Sequence, residues 1–457
     1  LSQSASIKTI LKSSLPAAVD LASQPVMWLV EAVYIGRLGA AALGGVGFAL
    51  QIILVTMTLM LTLVMGAIIR ISRILGSGNH REAHHIFGQT VLTGFLISIP
   101  IGLVWYFASP AIFNIIHERE LVKMFSGEGI SGIESGIVYL QTIALFSPVL
   151  ITNFVAVGLI RGSGDTRISM NINITMNAAN LLLAPVLIYG LFGMPRLEVQ
   201  GAAIAVIFSH CLGFIMTLLY SRHHKTTLFL SLRDVTVFRW SSVKQLFQLG
   251  LPTTLEQLVW SIGQLIVTVY VALLGIHLLA IHQVFLRIQG VLSMFYLGFG
   301  IAAMTHMGKN LGADDHLLAE HTSKTTHRIV LVFGCFILVL LVLCRRPIIS
   351  LFFREGVDVI SNFSFLSLFI VFTMVQVPKA LNTVISGSLR GAGDIKWLMW
   401  INIITVSLLE VGVNWVGAFV FHFGITGIWF VQFCDETIKS IINNSRFRGG
   451  KWKLIKV

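Results

Sequence analysis

Apolar stretches, separated by short polar breaks, follow one another along almost the whole chain. A bilayer core about 30 Å thick is crossed by about 20 helical residues, so each stretch predicts one transmembrane α-helix. Twelve are predicted, over residues 12–34, 43–69, 87–107, 136–160, 168–194, 198–221, 246–274, 283–305, 328–344, 358–388, 397–420 and 424–443. The most basic break, 222–245, falls near the middle and reads as a cytoplasmic tie between two lobes. Residues 108–135, where Ile115, Ile116, Leu121 and Phe125 stand among charges, predict a short amphipathic segment on the outer face.

The two sets of six are copies of one unit. Pro16 and Pro252, Asp20 and Glu256, Gly39 and Gly275, Leu43 and Leu279, and Gly76 and Gly312 all pair at a separation of 236 residues. Later in each half the separation is 229: Arg161-Gly162-Ser163-Gly164-Asp165 matches Arg390-Gly391-Ala392-Gly393-Asp394, with Asn153 paired to Asn382 and Asn173 to Asn402. Such self-similarity outranks any single motif as a guide to architecture. Six is an even number, so the second copy enters the membrane with the topology of the first. The fold class predicted is an all-α polytopic membrane protein of twelve helices in two pseudo-symmetric six-helix lobes. The N-lobe is 1–221, the linker 222–245, the C-lobe 246–445 and a basic cytoplasmic tail 446–457. Parallel repeats related about the membrane normal suit alternating access at a central cleft.

Composition agrees and removes one partner. Apolar residues make up 55% of the 457 and charged residues 11%, against roughly 45–50% and 25% in a soluble domain. The net charge of +12 has no aromatic-interleaved basic surface behind it, so nucleic acid is not expected as a partner. With both termini cytoplasmic, 22 of the 32 Lys and Arg fall on that side, and seven fall in outer loops: Arg37, Arg119, Lys123, Arg196, Arg345, Arg346 and Arg354. That is the positive-inside pattern. Cys211, Cys335, Cys344 and Cys434 lie in or at the ends of spans without ligand-like spacing, so neither a disulfide framework nor a zinc site is expected. No cleavable signal is visible, and the first span is expected to be its own address.

Four motifs in order carry a family resemblance: Tyr34-Ile35-Gly36-Arg37-Leu38-Gly39 after the first span, Gly76-Ser77-Gly78-Asn79 after the second, the duplicated Arg-Gly-Ser/Ala-Gly-Asp loop, and Gly201-Ala202-Ala203-Ile204-Ala205 opening the sixth. Over essentially its whole length the chain resembles the multidrug and toxic compound extrusion (MATE) family. The resemblance implies a secondary antiporter in the plasma membrane that expels organic, often cationic and amphipathic, compounds in exchange for protons or sodium ions. It implies no cofactor beyond the coupling ion H+ or Na+. The expected partners are a small-molecule organic substrate and the lipid bilayer, and a monomer is expected.

A carboxyl inside a span is costly unless it pairs, protonates or faces water, so each is a functional hypothesis. Asp20 and Glu31 lie eleven residues apart in the first span, on one helix face and roughly 16 Å apart along the axis. Nothing on that helix neutralises Asp20. The resemblance makes Glu31 and Asn180 parts of an N-lobe cation site, with Ala184 and Val206 standing where the family has Asp and Thr. It matches Glu256 to the seventh-span acid of the sodium-coupled branch, but Lys379 replaces the expected tenth-span Asp. Lys379 is expected to pair with Glu256 in the place of a sodium ion, either as a structural buried pair or in transport. Arg287 and Glu410 read as further members of a C-lobe charge network or as cavity-lining charges. Asp435 and Glu436 are open between a cavity and a helix end.

Met27, Trp28, Trp260 and Tyr296 are candidates to line a cleft for flat cations, through cation–π attraction and adaptable Met contacts. Pro16, Pro25, Pro148, Pro185, Pro252 and Pro378 each remove a backbone hydrogen bond; Pro25, between the two acids, is the candidate hinge. Two rivals remain. A flippase-like carrier of lipid-linked substrates would show the same repeat and hydropathy. A membrane-embedded enzyme would need a nucleophile–base pair or a metal-spaced cluster, and His80, His84 and His85 read as solvated loop residues instead.

Overall fold

A computed structural model describes residues 7–118, 130–222, 227–230, 238–352 and 363–455. Every regular element among them is helical. In chain order the long helices are α1 (Ile7–Gly36), α2 (Ala40–Gly76), α3 (His80–Glu118), α4 (Ile130–Ala144 and Ser147–Gly162), α5 (Thr166–Tyr189), α6 (Glu198–Ser221), α7 (Trp240–Leu274), α8 (Ile276–Gly312), α9 (His316–Leu343), α10 (Phe363–Gly391), α11 (Ile395–Phe419) and α12 (Gly424–Arg448). A short helix, Arg345–Phe352, follows α9. Backbone polar groups have no water partner in hydrocarbon, which leaves the helix as the way for these segments to cross.

Nine of the twelve are long and apolar enough to span a bilayer as single elements, and α4 makes a tenth as a bent pair. The other two, α1 and α12, bury the charges that lower their hydropathy: Asp20 and Glu31 in α1, Asp435, Glu436 and Lys439 in α12. The all-helical, twelve-helix architecture is the one predicted. Its helices run further than the apolar stretches, however; α3 continues through His80–Glu118, covering the start of the segment expected to be separate and amphipathic. Leu121 and Phe125 of that segment, together with Arg119, Lys123, Lys225, Arg233 and Arg354, lie outside the described residues.

Proline acts unevenly. At Pro148 the two parts of α4 meet at 68°, whereas the helix continues unbroken through Pro25 in α1, Pro185 in α5, Pro252 in α7 and Pro378 in α10.

The repeat is written in the backbone. Gly39 and Gly275 have φ of 139° and 138°, Gly164 and Gly393 have 101° and 89°, and Gly78 matches Asp314 at 77° and 57°. Asp165 and Asp394 precede α5 and α11 with the same φ of −82°. Helix crossings repeat too. A Cβ on Gly158 would lie 2.9 Å from Val64, and one on Gly162 2.3 Å from Ile68; in the second half Gly387 and Gly391 meet the backbone of Gly300 and Met304 at 2.2 and 2.3 Å. Glycines four apart let helices approach this closely in a membrane, where packing rather than the hydrophobic effect joins them.

The chain divides into two compact units, Asp20–Gly250 and the combination of Leu1–Val19 with Leu251–Val457. In the first, the start of α7 packs on α2: Gly66 faces the Leu246 carbonyl and Gly250 the Thr62 carbonyl. A core of Ile35, Val46, Trp105, Tyr139, Ile151 and Ala202 fills it. In the second, the start of α1 packs on α8, with Gly298 against Ala18 and Ser13 Oγ 2.8 Å from His306 Nε2. Its centre is α10, which meets α8, α9 and α12, with Phe285, Phe369, Phe372 and Trp429 clustered at its core.

Candidate functional site

In the unit Asp20–Gly250, the Asp20 carboxylate is buried and doubly held: Arg161 Nε donates to Oδ2 at 2.7 Å and Asn173 Nδ2 to Oδ1 at 2.5 Å. Its neutralising charge comes from α4, not from its own helix. The equivalent arrangement recurs in the other unit. Arg390 Nη2 donates to Glu256 Oε1 at 2.7 Å, and Asn402 Nδ2 donates to the Glu256 backbone carbonyl at 2.8 Å. All six residues stand in the internal repeat, yet periodicity does not say which of them touch. The arginine of each Arg-Gly-x-Gly-Asp loop neutralises the acid of the first helix of its half, while the loop aspartate takes its partner from the last helix of that half. Asp165 accepts a short hydrogen bond from Tyr220, and Asp394 accepts Arg446 Nε at 2.8 Å and Nη2 at 3.3 Å.

Glu31 is different. It is 3% exposed and accepts a hydrogen bond from the Tyr139 hydroxyl at 3.1 Å. Among the described residues no cation pairs with it, and its burial withdraws it from solvent in this conformation. The α1–α5 contact is pinned by Asn177 Nδ2 to Ser23 Oγ at 2.9 Å and by Tyr189 Oη to the Tyr34 carbonyl at 2.8 Å. Asn180 and Ala184 lie along α5 between these two pins and are buried, and Val206 is buried on α6. Oxygen ligands that the family resemblance calls for at 184 and 206 are therefore replaced by carbon. Met27 is also buried, while Trp28 and Pro25 are partly exposed.

The other unit holds a charge cluster between α7, α10, α11 and α12. Lys379 Nζ lies 3.3 Å from Glu436 Oε1 and 5.6 Å from the centre of the Trp260 ring. Asn382 Nδ2 donates to Glu436 Oε2 at 2.9 Å, Lys439 Nζ donates to Asp435 Oδ2 at 2.6 Å, and Gln264 Nε2 donates to Glu410 Oε2 at 2.9 Å. The expected Lys379–Glu256 pair is thus replaced. Glu256 is satisfied by Arg390 and Lys379 by Glu436, because α12 presents Glu436 to the face of α10 that carries both Lys379 and Asn382. Asp435 and Glu436 belong to this cluster and not to a helix end. Arg287 stands outside it with an exposed side chain. Tyr296 is fully buried in the core against Phe299 and Phe333, which removes it from a solvent-lined wall in this conformation.

Asn382 and its repeat mate Asn153 keep matched roles: Asn153 Oδ1 accepts from Thr217 of α6 at 3.0 Å, and Asn382 Oδ1 from Asn443 of α12 at 3.0 Å. Sequence reasoning missed Arg161, Arg390, Tyr139 and Lys439 as members of these sites. The first two carried a signal, since each sits in a duplicated motif at the offset that also relates Asn173 to Asn402.

Comparison with known proteins agrees with this fold and its duplication. The MatE family profile matches residues 16–186 and 252–416, the two halves found as repeats. A probable multidrug resistance protein NorM of Thermotoga maritima is 26% identical over 454 residues, covering 98% of this chain and 93% of its own. Two solved structures share the fold. A MOP superfamily transporter from Pyrococcus furiosus, described as having a binding pocket of reversed polarity, has a TM-score of 0.84 at 20% identity. A MATE structure in a bent conformation has a TM-score of 0.85 at 19% identity, and each covers 98% of this chain and 97% of its own. With both halves matched by the profile and all twelve helices in the shared fold, the chain belongs to the MatE family: it is a multi-pass membrane transporter, not an enzyme.

Proposed function

We propose that the protein exports organic, cationic and amphipathic compounds in exchange for protons by alternating access, from a plasma membrane with both termini cytoplasmic. The observation that carries this reading is Glu31: a carboxyl buried in a membrane helix, hydrogen-bonded to a phenol and paired with no cation among the described residues. Left ionised at that depth it is costly, and holding a proton removes the cost, so loading and release of a proton couple to what else enters the site. Sodium is the weaker candidate on the same ground, because Ala184, Val206 and Lys379 stand where oxygen ligands are needed. The name of the Thermotoga maritima relative, a probable multidrug resistance protein, supports an organic substrate. The surplus of carboxyls over ammonium groups around Glu436 supports a cationic one, since such a field attracts positive charge.

The test is efflux of a cationic dye from pump-deficient cells expressing the wild type or Glu31→Gln. Export should stop when the proton gradient is collapsed, persist when the sodium gradient is collapsed, and be lost in Glu31→Gln at equal membrane expression. Export driven by sodium alone would overturn the coupling. Absence of dye export under every gradient would favour a carrier of lipid-linked substrates.

A further inference from the structure

Helix α11 departs from α geometry over Val406–Val413, where it forms a π-helical turn. Such turns are rare and recur at functional sites, because the extra residue re-aims the side chains around it. This one carries Glu410, which is 1% exposed. One side of the carboxyl is closed by α7: Oε2 accepts from Gln264, and a Cβ on Gly263 would lie 3.4 Å from that same oxygen and 2.5 Å from Val406. Asn414, one turn on, donates to the Glu410 backbone carbonyl at 2.9 Å and so holds the π turn in place.

The other Glu410 oxygen, Oε1, is buried and receives no hydrogen bond from the described residues; the same holds for Asp435 Oδ1. Helix α12, which carries Asp435, packs directly on the π turn that carries Glu410, so the two carboxyls are neighbours. Ionised carboxylates only accept, so two of them attract only when a proton lies between. Three carboxyls, Glu410, Asp435 and Glu436, gather with two ammonium groups, Lys439 and Lys379. The cluster is one positive charge short, and the deficit falls at the pair whose oxygens lack a donor. A metal ion is a poor candidate for that charge: no three His, Cys, Asp or Glu side chains converge on a metal position among the described residues, and Lys439 already occupies the second oxygen of Asp435.

We infer that Glu410 and Asp435 share one exchangeable proton, forming a second cation-binding site, in the C-terminal half and separate from Glu31. The groups facing it are Gln264 from α7, Lys379 from α10, and Glu436 and Lys439 from α12. Gain of the proton leaves the cluster neutral, and its loss leaves a net negative charge beside Lys379 and the Trp260 ring. The site thus gives the C-terminal half its own means of responding to pH.

The test uses the full chain in lipid and infrared difference spectra across pH, following the carbonyl stretch of protonated carboxyls in potassium and in sodium buffer. A titrating band is expected in the wild type and in Glu31→Gln, and is expected to be lost in Glu410→Gln and in Asp435→Asn. The glutamine keeps the packing, because its amide N–H can donate to Asp435 Oδ1 as the shared proton does. Glu410→Asp, which preserves both carboxyls, should move the band without abolishing it. The same bands in wild type, Glu410→Gln and Asp435→Asn would overturn the assignment, and loss of the wild-type band on adding sodium at fixed pH would overturn the choice of a proton. Dye export by Glu31→Gln is a separate readout, so failure of the coupling proposal and failure of this one are distinguishable.

Discussion

Arg390 meets Glu256 at 2.7 Å, at the place in its half where Arg161 meets Asp20. The same loop motif therefore neutralises the same helix position twice. The two pairs differ in depth: the Asp20 side chain is 0% exposed and that of Glu256 is 16% exposed. Removing one partner of a buried pair strands the other charge, at about 3–5 kcal/mol when burial is complete. Arg161→Ala is expected to lower the thermal unfolding midpoint of the purified protein by more than Arg390→Ala, and Asp20→Asn added to Arg161→Ala should restore part of the loss. Equal shifts for the two arginines would contradict the depth argument.

Lys379 and Glu436 should behave as a coupled pair. Lys379→Met leaves Glu436 with Asn382 as its remaining hydrogen-bond partner, and Glu436→Gln leaves an ammonium against the Trp260 ring. A double-mutant cycle in unfolding free energy is expected to give a favourable interaction of about 0.5–3 kcal/mol, the range for residues in contact. The cycle between Lys379 and Glu256 should give far less, reversing the pairing that the sequence suggested.

Two glycines set the approach of α7 to α2. A Cβ on Gly250 would stand 1.7 Å from the Thr62 carbonyl oxygen, and one on Gly66 2.0 Å from that of Leu246. Both obstacles are backbone atoms and cannot rotate aside. Gly250→Ala and Gly66→Ala are each expected to destabilise by about 1–3 kcal/mol or more, as overpacking does, and to reduce folded yield in size-exclusion profiles. Gly290→Ala, where nothing lies within 4 Å, serves as the control and should match or exceed the wild type, since alanine favours the helix.

Arg446 grips Asp394 with two nitrogens and stacks on Trp397, its guanidinium 4.6 Å from the ring centre. Lysine keeps the charge but lacks the planar fork that makes both contacts. Arg446→Lys is expected to cost about 1–2 kcal/mol of stability in thermal unfolding. Tyr220→Phe removes the hydrogen bond to Asp165, the matching loop aspartate of the other half, and should cost about 1 kcal/mol or more.

The reach of the sequence can be judged at particular residues. Twelve apolar stretches and the duplicated Arg-Gly-x-Gly-Asp loops were legible because a bilayer demands long apolar helices and because a copied unit repeats its turn residues. Gly39 and Gly275, paired by their spacing, share a φ that agrees within a degree. Asp20, Glu31, Glu256, Lys379 and Glu410 were legible as rare charges in apolar runs. Their partners were not. Lys379 was assigned to Glu256 because the two positions correspond to a known pair of acids, whereas the fold turns Lys379 toward α12 and gives Glu256 to the arginine of its own loop.

What the sequence by itself determined was the class, the number of helices and their duplication, since hydropathy and spacing are properties of position along the chain. Only the tertiary structure decided which charge meets which: Arg161 reaches Asp20 across 141 positions of chain and Tyr139 reaches Glu31 across 108. The π turn that carries Glu410 is of the same kind, because Asn414 bonds the Glu410 backbone carbonyl and α7 closes against α11 beside it. Coulomb and hydrogen-bond energies act over a few ångströms in space, and the packing of glycine-faced helices, not the order of residues, sets those distances.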